Sequence, residues 1–154
     1  MSEDFAAVKR KVNRALRDFV RNEYSLLERD LYEVTVSSKL ASYLQRLFPN
    51  HKVDAEYNKH GASDKLLKDR VVRPDIVVHR RGHDDMNLVV VEMKKKDRPT
   101  TDDIEKLIDF TDPHGTDGYC YDFGLFLAFN HDHAGLFQPR TRWFIAGTEV
   151  TEGS

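Results

Sequence analysis

Two acids and a lysine on neighbouring predicted strands are the residues whose types and spacing point to chemistry. Asp75 stands at the start of one β-rich segment, and Glu92 and Lys94 stand two positions apart at the end of the next. A four-residue turn at residues 82–85 would close both segments into an antiparallel hairpin. Residue 81 then faces residue 86, and by the same register Asp75 faces Glu92. We therefore expect two carboxylates side by side.

Opposed carboxylates in valine-rich strands are unfavourable unless a cation holds them. The two carboxylates, the Met93 backbone carbonyl and water offer the oxygen ligands that Mg²⁺ or Mn²⁺ prefers. Such an ion can polarise a phosphate and help to generate hydroxide. Lys94 shares a strand face with Glu92, about 7 Å further along. Its ammonium is expected to orient the attacking water or to stabilise developing charge.

Glu33 is a further candidate because it interrupts the apolar stripe of a predicted helix over residues 31–48. At 3.6 residues per turn it lies within roughly 20° of Leu40 and Leu44 around the helix axis. A carboxylate that faces a core needs a cationic partner or a metal. The alternatives are that Glu33 pairs with a buried Arg or Lys, that Asp75 is a turn acid, and that Glu92 lies at a solvated strand end.

Several other residues are secondary candidates. Glu56 alternates out of a predicted strand over 53–57, as does Asp54, which we expect to face water. His131 could reach the site from the end of a later strand. A basic group either forms a phosphate-binding rim or consists of solvated strand ends; its members are Lys95, Lys96, Arg98, Arg70, Arg73, Arg80 and Arg81.

Periodicity predicts the order α-α-β-β-β-α-β-β along the chain. The helices are expected over 5–28, with Ser2 or Asp4 as cap and a basic solvated face, over 31–48, and after Thr100 or Thr101. The strands are expected over 53–57, 71–79, 88–94, 119–129 and 142–146, with loops over 58–70 and 130–135 and a frayed tail over 148–154.

Pro74-Asp75 followed by Glu92-Met93-Lys94, with Glu33 on a preceding helix, resembles the PD-(D/E)XK nuclease superfamily. The resemblance covers roughly residues 31–129. It implies an α/β domain with a restriction-endonuclease-like αβββαβ core, in which helices flank a central mixed sheet, and residues 1–28 would add an N-terminal helix. It also implies that Asp75, Glu92 and Glu33 bind divalent metal and that Lys94 assists the nucleophilic water. The expected activity is a Mg²⁺-dependent endonuclease that acts on DNA.

Composition limits the class of protein. A chain of 154 residues with 40% apolar residues suits one domain spanning 1–154. The net charge of -2 excludes an overall basic field for nucleic acid, so any phosphate site must be local. With one cysteine and neither a signal-peptide pattern nor a long apolar run, we expect a cytoplasmic protein without membrane contact.

Two other functions fit the same residues. The first is a catalytically silent nuclease-like module that binds DNA or assembles with proteins. The second is a structural subunit, in which the N-terminal helix or a sheet edge forms a homodimer.

Overall fold

The computed structural model describes residues 3–29, 33–56, 74–81, 87–94, 98–115 and 118–151, and only the backbone of residues 33–34, 59–60, 63–64, 66–67 and 70–71. The helices are α1 (Phe5–Asn22), α2 (Tyr24–Glu28), α3 (Glu33–Leu47) and α4 (Thr101–Thr111). The strands are β1 (Lys52–Ala55), β2 (Lys59–His60), β3 (Ser63–Asp64), β4 (Leu66–Leu67), β5 (Arg70–Val71), β6 (Ile76–His79), β7 (Val89–Lys94), β8 (Phe123–His131), β9 (Phe137–Ile145) and β10 (Thr148–Glu149).

The main sheet is mixed and has six strands in the order β1-β6-β7-β8-β9-β10. β7 and β8 pair in parallel, whereas its other neighbouring strands pair antiparallel. The expectation of an α/β protein with a mixed sheet is confirmed. In the β6–β7 ladder Ile76 lies opposite Val91 and Val78 opposite Val89, so the expected hairpin register is correct. The turn at 82–85 lies outside the described residues.

Alternation along the strands gives the sheet two buried faces. The core beside α1 and α3 includes Val12, Phe19, Leu40, Ile76, Val91 and Trp143. The core beside α4 includes Val77, Val90, Leu107, Phe110, Phe126 and Phe144. Even-numbered residues of β7 and β8 therefore face α4, and Glu92 belongs to this set. None of the described helices combines the length and the apolar character needed to cross a bilayer.

The N-terminal helical segment is divided, which corrects the expectation of one helix over 5–28. Asp4 caps α1 by accepting a hydrogen bond from the Ala6 amide. Glu23 ends α1 outside the helical region, at φ -120° and ψ 24°. After this break the Tyr24 hydroxyl accepts a hydrogen bond from the Phe137 amide at 3.0 Å. The change of direction thus attaches α2 to β9.

Three further boundaries differ from the sequence prediction. The segment 58–70 is not wholly loop, because β2 pairs with β3 and β4 with β5. β8 begins at Phe123, later than the expected residue 119. Both β8 and β9 extend further into the turn between them, where the Asp132 carboxylate accepts hydrogen bonds from the Ala134 and Leu136 amides. The tail is not frayed throughout, since β10 adds to the edge of β9.

Candidate active site

Asp75 lies at the entrance to β6, where one carboxylate oxygen is tied to the neighbouring strand. Its Oδ2 accepts a hydrogen bond from the Met93 amide at 2.7 Å. Its own carbonyl accepts a hydrogen bond from the Glu56 amide at 3.0 Å. Strands on both sides therefore hold this residue, and continuation of the β6–β7 register places it opposite Glu92.

Glu92 is buried, with 6% of its surface exposed. Burial raises the pKa of its carboxyl well above the ordinary 4.5, and the Asp75 carboxylate raises it further. Lys106 and Lys94 oppose this rise, while Asp103 adds to it. Glu92 thus has the two features that raise the pKa of a carboxyl, namely low solvation and a like charge nearby.

Helix α4 brings two charged residues to Glu92 that the sequence reasoning did not assign to the site. Burial alone would lower the pKa of Lys106, but Glu92 and Asp102 raise it overall. Asp103 belongs to a capping box with Thr100: each residue's side chain accepts a hydrogen bond from the other's backbone amide. A helix that links two parallel strands packs back across them, but which of its residues reach Glu92 depends on how the helix docks on the sheet.

Lys94 is half-buried at the end of β7, on the same side of the sheet as Glu92. It lies opposite Ala128 of β8. Its charge lowers the pKa of Glu92, which places it within electrostatic reach of that carboxyl. The structure therefore brings Asp75, Glu92 and Lys94 together, with Lys106 as a second cation.

Met93 contributes through its backbone. Its side chain is buried in the core beside α1 and α3, on the opposite face from Glu92. Its amide is the donor that orients Asp75. The role of its carbonyl as a metal ligand stays a prediction.

The remaining candidates divide by position. Glu56 is exposed and adjoins Asp75 at the end of β1, with a left-handed φ of 53°. His131 is not brought to the carboxylates; its ring packs on Phe137, with centroids 4.1 Å apart, on the other side of the sheet. Glu33 is the first residue of α3, but its side chain lies outside the described part, as do Lys95 and Lys96.

Asp54 does not simply face water, which corrects the expectation for this residue. Its carboxylate accepts hydrogen bonds from Arg81, at 3.0 Å from Nε, and bonds the buried His79 ring at 2.8 Å. The Arg81 bond is the main reason that the pKa of Asp54 is low. Both partners lie on or just beyond β6, which pairs with β1. Asp54 is thus an ion-pair acid beside the site.

The donors present suit a hard cation. Among the residues that the structure describes, no three His, Cys, Asp or Glu side chains form a group that could hold a metal. Mg²⁺ is commonly held by one or two carboxylates, with water and substrate phosphate as its other ligands. Asp75 and Glu92 fit that pattern, and a cation between them would offset the repulsion that, after burial, raises the pKa of Glu92.

Searches against family models, curated proteins and solved structures found no match to this chain.

Proposed function

We propose that this chain is a metal-dependent nuclease that hydrolyses phosphodiester bonds in DNA, with a fold of the PD-(D/E)XK type. The order of α3, β1, β6, β7, α4 and β8 agrees with the αβββαβ core that the sequence resemblance implies. One observation carries the proposal: two carboxylates that repel each other, Asp75 and Glu92, are held together at the ends of two paired strands.

Mutual repulsion of this kind disfavours folding, so its presence calls for a functional reason. A structural ion pair would place one acid beside one base. Here two acids converge with two lysines, Lys94 and Lys106, around them. Such a mixture of charges suits a site that holds a cation and a phosphate together.

Each described residue has a distinct task in this proposal. Asp75, oriented by the Met93 amide, and Glu92 would hold Mg²⁺ or Mn²⁺. When bound, the ion supplies Lewis acidity toward a phosphate oxygen and lowers the pKa of water. Lys94 would orient the attacking water or stabilise the charge that develops on phosphate. Lys106, on α4, partly balances the charge of Glu92.

Cleavage of DNA by the purified chain tests the proposal. Supercoiled plasmid, linear duplex and single-stranded DNA would be incubated with Mg²⁺, Mn²⁺ or EDTA. We expect cutting only when Mg²⁺ or Mn²⁺ is present. The cleavage rate should fall by at least about 100-fold in Asp75→Asn, Glu92→Gln and Lys94→Ala. Two exposed residues outside the site give charge-matched controls, Glu105→Gln and Lys52→Ala.

Full activity in EDTA, or in all three site variants, would refute the proposal of a metal-dependent nuclease at this site. DNA binding without cutting under any metal would instead support the silent binding module. RNA cleavage in place of DNA cleavage would retain the chemistry but change the substrate.

A further inference from the structure

A groove of about 330 Å³ opens beside the candidate active site. Its lining includes Arg98 before α4, Asn130 of β8, and Arg140 and Arg142 of β9, and we call it the arginine groove. Its floor contains Phe126 and Ala128. None of these residues belongs to the proposed metal-binding pair.

Strand register shows that the arginine groove continues the site sideways across the sheet. Lys94 pairs with Ala128, and Ala128 in turn pairs with Arg140. One row along, Phe126 lies between Glu92 and Arg142. Directly paired residues face the same side of a sheet. Because neighbouring strands are about 4.8 Å apart, Arg140 and Lys94 have backbones about 10 Å apart on one surface.

The charge of the groove is positive. Glu149 binds Arg142 through two hydrogen bonds of 2.6 and 2.8 Å, so that pair is balanced. Arg98 and Arg140 are exposed, and neither forms a salt bridge with any residue in the described ranges. The pKa of Asp132 is lowered mainly by the hydrogen bond from the Leu136 amide, and the charge of Arg140 adds a smaller contribution. Two guanidinium groups thus face solvent where a phosphate can approach.

The groove suits a nucleic-acid backbone better than a base. Among the described residues that line the groove, the aromatic one is Phe126. Its side chain is buried, so the groove offers a base no exposed ring on which to stack. Guanidinium forks match phosphate oxygens in a bidentate geometry, and the Asn130 amide adds a hydrogen-bonding group. Contacts of this kind position a strand without reading its sequence.

We propose that the arginine groove binds the phosphates of a DNA strand on one side of the phosphodiester bond held at Asp75 and Glu92. This inference deepens the proposed function and rests on it. It also explains how a chain with net charge -2 can hold a polyanion: the positive charge is concentrated locally.

Binding of a labelled 16-base-pair duplex of mixed sequence, followed by fluorescence anisotropy in EDTA, separates this inference from catalysis. The double variant Arg98→Gln/Arg140→Gln is expected to bind about 10-fold more weakly. The negative slope of log K, the association constant, against log salt concentration should become less steep by about 2, roughly 0.9 for each lost phosphate contact. The matched control, Arg10→Gln/Arg14→Gln, removes the same charge from exposed positions of α1, which packs on the opposite face.

The outcomes distinguish the two proposals. If the wild-type chain cleaves DNA with Mn²⁺ but the groove variant binds like wild type, the groove assignment is wrong and the nuclease stands. Equal weakening in both double variants would also overturn the groove, because charge alone would then explain it. If the groove variant loses binding selectively and no metal supports cleavage, the groove binds DNA phosphates, but the nuclease and the link between the groove and cleavage are both wrong. A second duplex of different sequence should bind equally well; a strong sequence preference would contradict a backbone contact.

Discussion

The Asp75 carboxylate accepts a hydrogen bond from the Met93 amide across the β6–β7 pair, at 2.7 Å. A main-chain donor orients this acid, so its position depends on the strand pairing. The amide also lies directly after Glu92 in the chain. One bond therefore fixes the relative position of the two acids on which the proposed chemistry depends.

Two replacements of Asp75 should separate the effect of its charge on stability from the effect of its hydrogen bond. Asp75→Asn keeps an acceptor for the Met93 amide and removes a repulsion with Glu92, so its unfolding free energy should stay within about 0.5 kcal/mol of wild type or rise. Asp75→Ala leaves the amide without this acceptor and should cost about 1–2 kcal/mol. Urea unfolding at pH 7 measures both. Because both variants lack the charge, equal stability of the Ala and Asn chains would show that the bond contributes nothing.

Glu92 should make the fold less stable as pH rises. Its pKa is raised by burial and by Asp75, so over pH values above 4.5 the native state keeps a proton that the unfolded chain has released. Higher pH then favours the unfolded chain until the native pKa is passed. Glu92→Gln removes this dependence, and its melting temperature should gain on wild type by about 2–4 °C between pH 5 and pH 8. Glu105→Gln, at an exposed position, is the control, and its melting temperature should differ from that of wild type by the same amount at pH 5 and pH 8. The same behaviour in Glu92→Gln would contradict the prediction.

Divalent metal should stabilise the wild-type chain and lose that effect when the acids are neutralised. With a dissociation constant of about 1 mM, 10 mM Mn²⁺ adds about 1.4 kcal/mol, or roughly 3–5 °C in melting temperature. Because the ligands must be deprotonated, calorimetry in two buffers of different ionisation enthalpy should detect proton release. Asp75→Asn/Glu92→Gln should show neither effect. An equal shift in that variant would assign the metal to another part of the chain.

Gly124 is expected to control the distance between α4 and the sheet. A Cβ added at this position would lie 3.0 Å from the Thr111 methyl carbon and 3.4 Å from both Leu107 and Phe144. Gly124→Ala should therefore cost about 1–3 kcal/mol by overpacking. Because α4 also carries Lys106 to Glu92, the variant should show a shifted pH dependence of melting. A stability unchanged from wild type would mean that α4 adjusts without strain.

The β6–β7 pairing could be predicted because it depends on local features, namely alternation in two valine-rich strands and the number of residues between them. The position of Glu92 opposite Asp75 followed directly from that register, whereas the sequence left open whether Glu92 is buried or lies at a solvated strand end. The Lys106 contact could not be derived in the same way, since it depends on how a crossover helix docks on the finished sheet. Asp54 was misplaced for a related reason: its partners His79 and Arg81 reach it only through the β1–β6 pairing, which alternation within β1 does not reveal.

The break at Glu23 shows a different limit. Apolar spacing continues through residues 5–28, so periodicity indicates one helix, yet the chain turns and Tyr24 bonds to Phe137 more than 100 positions away. Long-range contacts of this kind override a local pattern. The β10 strand was missed because two exposed residues, Thr148 and Glu149, carry no burial signal of their own.

The outer side of β9 has a consequence for solubility. β10 pairs with β9 at Phe144 and Ile145, and the Val150 amide donates a hydrogen bond to the Trp143 carbonyl. Further back, β9 carries Pro139, which has no amide proton, and the charged Arg140 and Arg142. Proline and charge on an exposed strand oppose the addition of a strand from a second molecule. Replacement of these arginines by apolar residues would therefore invite aggregation, whereas glutamine keeps the margin polar.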